Sequence, residues 1–422
     1  MHEARSVQGS DDEGALRLAI IAMAFPEQSE TFVSARVKSL AERGVQVEVH
    51  SLRPDSPHAE ELAVARGIAD VPRTHLSALS VARGLAVALT RPRLSLRYLR
   101  WLVGSTRAKP DTLLRSLVLS PRVFGVFADL TRRPPDVVHA EWGHYPSLVV
   151  WLVQAGLPGV STSIALNAYD LTMEYGPSVT VADQADLIRT HTRANVPHIV
   201  RFTGVAAERV KLIYNGVNVP AVDEAVARTE KVPGRVVTIA RMIPEKRIDL
   251  VIRTFAACAP QAPHARLRVF GEGVERQRLE SLVDELGLAD SVSFLGHVHH
   301  ARMIEEIAQA EVVMLLSETV DERLPNVVKE GMAARCVTIT TRSVGIEELV
   351  DHGVSGFVVD YGDLEGAQRA LAWALSDSDA ARAMGDVARA EVAKEFDHET
   401  NVSRFLDLWR EIARRPRVSG GN

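Results

Sequence analysis

The chain has 422 residues, 46 % of them hydrophobic and 24 % charged, with a formal net charge of −5 and two cysteines. It is too long for one hydrophobic core and suits two α/β domains. The acidic balance argues against a general nucleic-acid binder, and Cys258 and Cys336, far apart and outside any metal-ligand spacing, argue against a disulfide framework or zinc site and for a reducing cytoplasm.

In chain order, residues 1–14 carry four acidic side chains, so the short apolar run at 18–25 lacks the basic flank of a signal peptide. L-R-L-A-I-I-A-M (16–23) reads as a buried strand, and the loop F-P-E-Q-S-E (25–30) leads into a helix over 31–43 that stops at Gly44. V-Q-V-E-V-H (45–50) alternates as a strand. Residues 71–133 then hold eleven arginines and one lysine against two aspartates, a net +10 that leaves −15 for the remainder. Within them, R-P-R-L-S-L-R-Y-L-R-W-L-V-G (91–104) fits an interfacial helix with snorkelling arginines beside an aromatic anchor. It fits equally a helix whose apolar stripe packs on its own sheet. Strands at 137–140, 160–166 and 210–214 follow, and none of the runs reaches the roughly 18 apolar residues of a membrane span.

Asn215-Gly216 and the Pro- and Gly-marked stretch 220–234 read as a boundary and linker. Beyond it, strands at 236–240, 267–270, 292–295, 312–316, 337–341 and 357–359 alternate with helices at 246–258, 274–286 and 301–310. An amphipathic helix at 401–414 ends the chain. The alternation predicts two doubly wound α/β domains, at 16–215 and 216–396, with the tail 397–422 crossing back to the first.

In open parallel sheets, ligands bind beyond the carboxyl ends of the strands. After the strand at 236–240 come Arg241 and, at the next helix start, Lys246: two cations able to clamp a diphosphate. After 312–316, Glu322 lies in a loop and Glu330 in the second turn of the helix behind Pro325, as acceptors for sugar or ribose hydroxyls. Read singly, each set is equally a solvated helix start. G-E-G (271–273) lacks the third glycine of a dinucleotide fingerprint and reads as a tight turn, whereas Gly345, opening a helix at 346–350, could offer backbone N–H groups to an anion. His139, Glu141 and His144 cluster in sequence. His139, at a strand end, is placed lining the cleft, and His144 is read as a polar loop residue. Asp377-Ser378-Asp379 imitates a metal-binding D-x-D but stands between helices, where capping is the simpler role.

Taken in order, A-R-M-I-P-E-K-R-I-D-L, G-E-G, V-S-F-L-G-H-V, E-R-L-P-N-V-V-K-E-G-M-A and G-I-E-E-L-V-D-H-G-V-S-G-F-V-V closely resemble the donor domain of glycosyltransferase family four, retaining enzymes of the GT-B architecture. The match runs over roughly 211–396 and includes the pair Glu322 and Glu330 with seven residues between them; F-P-E-Q-S-E-T-F resembles the exopolysaccharide-type members. The resemblance implies that Arg241 and Lys246 hold the donor diphosphate, that Glu330 binds the ribose, and that Glu322 contacts the transferred sugar. Backbone groups at Gly296 and Val298 would meet the base, and Asn326, Val327, Gly345 and Asn167 complete the donor-binding set. Three positions depart from the family pattern: Ala240 and Arg247 stand where glycines are usual, and Asn167 stands where a histidine commonly faces the donor sugar.

The expectation is a GT-B enzyme with two Rossmann-like domains facing a central cleft, 16–215 on the acceptor side and 216–396 holding the nucleotide-sugar donor. It would move a sugar with retention, without metal or cofactor, from a nucleotide diphosphate sugar to a hydroxyl acceptor in glycan or glycoconjugate biosynthesis. The acceptor is a lipid-linked glycan or a small molecule, and the place is the cytoplasm, with peripheral contact to an anionic membrane through 71–133. Rival readings are a GT-B epimerase or phosphorylase, a transferase acting on a soluble natural product, and a silent sugar-nucleotide-binding protein.

Overall fold

A computed structural model describes residues 15–27, 30–106, 109–319 and 322–414. Gln28 and Ser29 of the F-P-E-Q-S-E loop lie outside the described residues.

The first sheet contains β1 (Arg17–Ala22), β2 (Gln46–Ser51), β3 (Arg73–Thr74), β4 (Val137–Ala140), β5 (Ser161–Ala165), β6 (Leu187–Thr190) and β7 (Val210–Leu212), ordered β3-β2-β1-β4-β5-β6-β7. The second contains β8 (Arg235–Ile239), β9 (Arg266–Phe270), β10 (Val292–Phe294), β11 (Val312–Leu315), β12 (Val337–Thr341) and β13 (Phe357–Val359), ordered β10-β9-β8-β11-β12-β13. Every pairing is parallel. Helices cover both faces, so central strands bury both sets of side chains: Leu18 to Ala22 are all fully buried. The strand order reverses between β1 and β4 and again between β8 and β11, the switch points where such sheets open a crevice.

Two strands were not foreseen. β3 has only two residues, and β6 carries Arg189 in its middle, which breaks the apolar run. That arginine is fully buried because its charge is answered. Its guanidinium donates to the Ile213 carbonyl (2.8 Å) and to Asn215 Oδ1 (2.5 Å), and it lies over the Phe405 ring.

The stretch read as a linker holds a helix, Val219–Arg228, capped by Asn218. Val219, Val222 and Ala225 join the second domain's core. Pro220 sits in the helix's first turn, where a missing N–H costs nothing. The crossing itself is short and doubled. Val217 bridges Asp397 in parallel, with Val217 N donating to Phe396 O and His398 N to Val217 O, both 2.9 Å. A Cβ at Gly216 would stand 2.6 Å from His398 Cα, so the two segments can run this close only with glycine there.

The helix His398–Arg414 lies on the first domain. Trp409 is fully buried among Leu18, Ile20 and Val137; its indole N–H reaches Ser163 Oγ at 3.3 Å, and Ser161 Oγ donates to the Ile412 carbonyl at 2.9 Å. At the other end Arg43 pairs with Glu399 at 2.6 Å. Replacing Trp409 by Ala should lower the unfolding free energy by about 3–5 kcal/mol, the usual cost of removing a buried indole. Denaturant titration checks this, and a loss under 1 kcal/mol would mean that the helix adds little to the first domain.

Candidate active site

The loops leaving β8, β9 and β10 lie against one another. Met242 N donates to Glu272 O (2.8 Å), and Gly271 N to Gly296 O (2.9 Å). Gly271 and Gly273 pass so close to the β8 loop that a Cβ on either would fall 2.0 Å from Ala240 O or 2.2 Å from Met242 O. G-E-G is therefore a contact between loops. Gly296, at φ 69°, and the half-buried Val298 form the β10 edge of the same floor.

Arg241 stands exposed at the end of β8 and makes no ion pair among the described residues. Lys246 ends a single turn of 3-10 helix, Pro244–Lys246, and its Nζ lies 2.6 Å from Glu322 Oε1. Sequence placed these two residues in the same site but did not pair them. Arg247 follows at φ 46°, in the left-handed region where a glycine is unstrained. Its guanidinium is held by Glu318 at 2.5 Å and by Asp249 at 3.2 Å.

Glu330 is buried in the helix Asn326–Ala333 and bonds His300 Nε2 at 2.8 Å. That hydrogen bond holds the His300 imidazole above its ordinary pKa. The neighbouring Lys329 is fully buried; its Nζ donates to the Asn215 carbonyl (2.8 Å) and Asn326 Oδ1 (3.1 Å), and burial pushes its pKa down to about 7. Lys329 thus ties the donor-side helix to the crossing segment. Val327 and Asn326 are half-buried at the start of the helix.

Gly345 does not open a helix. It precedes one 3-10 turn, Ile346–Glu348, and takes φ 89° because the other domain presses on it: a Cβ would lie 2.8 Å from Thr192 Oγ1 and 2.9 Å from the Ala194 Cβ. The turn serves to aim Glu348 across the cleft. Its carboxylate accepts from Thr192 Oγ1 (2.6 Å), the Arg193 and Ala194 amides (both 2.8 Å) and Tyr214 (3.1 Å). It thereby caps the helical segment after β6 from the opposite domain. Arg323 Nε reaches Asn195 Oδ1 beside it at 3.3 Å.

On the first-domain wall, Asn167 is buried after β5, and its Oδ1 meets His191 Nδ1 at 2.6 Å. His139 does not line the cleft. It is fully buried beneath Trp409, with Nδ1 2.9 Å from Ser163 Oγ, because the C-terminal helix covers that face of β4. Glu141 pairs with buried Arg36 and lies 3.5 Å from His139 Nε2, whereas His144 turns away to Asp170 at 2.7 Å, so only the first two of the three side chains stay together. Asp377 Oδ1 accepts from Ala380 N at 3.0 Å, capping the helix Ser378–Glu395.

Residues 222–391 match the family model described as Glycosyl transferases group 1. The chain is 32 % identical over 214 residues to an exopolysaccharide phosphotransferase of Streptomyces coelicolor, covering 50 % of this chain and only 22 % of that protein's length. It is 24 % identical over 389 residues to the lipopolysaccharide core biosynthesis glycosyltransferase LpsE of Rhizobium meliloti, covering 90 % of this chain and 95 % of that one. In structure it is similar to Anabaena HepE crystallised with UDP, with a TM-score of 0.70, 17 % identity and coverage of 94 % and 100 %. The fold is GT-B, two Rossmann-like domains.

The left-handed Arg247 yields a test of local strain. With the ion pairs removed in both variants, Arg247→Gly should be more stable than Arg247→Ala by about 1 kcal/mol, the cost of a Cβ in that region. Equal midpoints in thermal unfolding would show that the loop relaxes out of this conformation.

Proposed function

With residues 222–391 matching the glycosyl transferases group 1 family and the described residues folded as GT-B, we propose that this protein transfers a sugar from a nucleotide diphosphate sugar to a hydroxyl acceptor in glycan biosynthesis. The observation that carries the reading is that Arg241 and Lys246 follow β8 and Glu322 and Glu330 follow the adjacent strand β11, with Lys246 paired to Glu322 between the two segments. Departure of a nucleoside diphosphate builds negative charge on its phosphate oxygens. Open Arg241 and Lys246, parked on Glu322, supply fixed positive charge for it, so the transfer is metal-independent in this proposal. Glu330, steadied by His300, is the acceptor for ribose hydroxyls, and Glu322 contacts the sugar. Retention at the anomeric carbon follows the likeness to family four.

Lys246→Ala should lower kcat/KM on the order of 10²–10³-fold, by analogy with deleting an oxyanion donor. Glu330→Ala should act mainly on the donor KM and Glu322→Gln mainly on kcat, with activity surviving EDTA. Steady-state kinetics with a donor first identified by thermal shift decides this. Unchanged turnover in all three variants would overturn the residue roles, and no hydrolysis of any bound donor by the wild type would leave a sugar-nucleotide binder instead.

A second observation bears on where the acceptor lies. The helices Ala78–Thr90, Pro92–Thr106 and Pro110–Arg132 pack together, and each leaves an apolar stripe in solvent. The stripes are Leu85 and Leu89, then Leu96, Leu99 and Val103, then Leu114 and Val118; Leu89 is 81 % exposed and Val118 72 %. Exposed Arg91, Arg93, Arg97, Arg100, Lys109 and Arg115 lie among them. The anchor is not aromatic, as sequence suggested. Tyr98 is fully buried, and Trp101 stacks on Trp151 at 4.7 Å inside the domain, so leucines form the outward face. This surface supports contact with an anionic bilayer, each nearby basic residue contributing about 1 kcal/mol, and hence a lipid-linked acceptor. No helix among the described residues is long and apolar enough to cross a membrane. Sedimentation with liposomes should rise with anionic-lipid content and fall with salt. Protein that stays in the supernatant throughout would favour a soluble acceptor.

A further inference from the structure

Lys329 stands next to Glu330 in the helix Asn326–Ala333, yet its charge has no part in the diphosphate clamp or the ribose contact. It is only 1 % exposed. Its Nζ donates to the carbonyl of Asn215 in the crossing segment (2.8 Å) and to Oδ1 of Asn326 at the start of its own helix (3.1 Å). It also lies 5.6 Å from the centre of the Phe396 ring in the returning segment. One ammonium therefore touches both segments that join the domains and the helix that carries Asn326 and Glu330. Asn215 is gripped from the other side as well, since its Oδ1 accepts from Arg189 of β6 (2.5 Å). The crossing residue is thus held through its side chain by a first-domain arginine and through its main chain by a second-domain lysine.

A charged lysine here costs the fold stability. Burial pushes Lys329 down to about 7; the Glu330 carboxylate opposes the shift and Arg189 adds to it. The unfolded chain holds the same proton more tightly, so charging Lys329 favours unfolding. An apolar side chain of similar length would fill the space without that cost. What the ammonium adds is direction, because it offers three donors that a methyl group lacks. The groups that face it are Glu330, itself bonded to His300, the cation Arg189, and His191, which burial and the neighbouring cations keep neutral.

We propose that Lys329 is a positioning residue for the donor: as an ammonium it locks the helix bearing Asn326 and Glu330 to the crossing at Asn215, and a donor nucleotide binds tightly when this lock is made. The proposal rests on the reading of Glu330 as the ribose acceptor and adds a proton to it. A nucleotide that favours the locked form favours the charged lysine, so by linkage its affinity rises as pH falls through the range in which Lys329 takes up its proton.

The test is nucleotide binding as a function of pH. UDP, GDP, ADP and dTDP are titrated into the full chain by calorimetry between about pH 6 and pH 9, the span over which one such group changes charge. The nucleotide that binds the wild type should bind about tenfold more weakly at the alkaline end. Lys329→Met should bind at that weak level throughout, whereas Lys329→Arg, charged over the whole span, should bind tightly throughout. His300→Gln should keep the fall with pH, which assigns it to Lys329 and not to the histidine paired with Glu330. Hydrogen exchange at residues 214–217 reads the lock with no ligand, and should be about tenfold faster in Lys329→Met than in the wild type at one pH near the acidic end. The wild-type pH profile needs no variant, so it decides even if a substitution prevents folding. A wild-type affinity that is level across this span, or a Lys329→Met variant that matches the wild type in affinity and in exchange, would overturn the lock and leave the donor reading standing. No binding of any of the four nucleotides at any pH, with exchange at 214–217 still dependent on Lys329, would instead overturn the ribose reading of Glu330 and leave the tie between helix and crossing in place.

Discussion

The relation between the two walls of the cleft depends on one short juxtaposition, the chain crossing from the first domain at residues 214–217 beside its return at 396–398. Two hydrogen bonds across Val217 and the missing side chain of Gly216 hold the segments in contact. Lys329 adds a third tie by donating to the Asn215 carbonyl from the donor-side helix. On the far edge Glu348 supplies its carboxylate to the first domain's Thr192, Arg193 and Ala194. The cleft is thus bounded by a covalent double strap at one side and a polar clasp at the other. A clasp of hydrogen bonds, unlike an apolar interface, exchanges with water at small net cost, which suits walls that must separate to admit a donor.

Charge is distributed to the same end. Arginines sunk in the first domain are answered in place: Arg36 by Glu141, Arg189 by main-chain and amide oxygens, and Arg122 by the Ser51 carbonyl and Thr74. Each guanidinium is buried and bonded in place, with one nitrogen (Arg36 Nε, Arg122 Nη1, Arg189 Nη1) left without a hydrogen-bond partner among the described residues. At the ends of β8 and β11 the arrangement differs. Lys246 rests on a single carboxylate, Arg247 is drawn aside by Glu318 and Asp249, and Arg241 stays open. In the proposed reaction this leaves positive charge for a diphosphate at the ends of β8 and β11.

The departures from family glycines have separate outcomes. Ala240 is accommodated because the neighbouring Gly271, not residue 240, provides the room between loops. Arg247 keeps the left-handed backbone a glycine would favour and adds two ion pairs. Asn167, in place of the histidine, is bonded to His191, so an imidazole still stands at that edge of the wall, carried by β6 instead of β5.

Sequence by itself determined the class of fold and which charged residues stand just beyond the strand ends of the second domain. Both depend on local signals: apolar runs of strand length, glycines where loops meet, and charged residues placed just beyond strand ends. The second sheet was legible for this reason, with β12 and β13 at their expected bounds. Tertiary structure alone decided what depends on partners brought in from other segments of the chain. β6 was hidden because Arg189 looks like a surface residue until Ile213, Asn215 and Phe405 enclose it. His139 was misplaced because only the returning helix, with Trp409, shows which face of β4 is covered. Gly345 was read as an anion site because nothing local says that the other domain packs against it. His144 looked like a loop residue until Asp170, on the next strand's loop, fixed its proton. A sequence pattern records what a segment prefers in isolation; burial of a charge, the tautomer of a histidine and the exposure of a leucine stripe are set by what the rest of the chain brings against it.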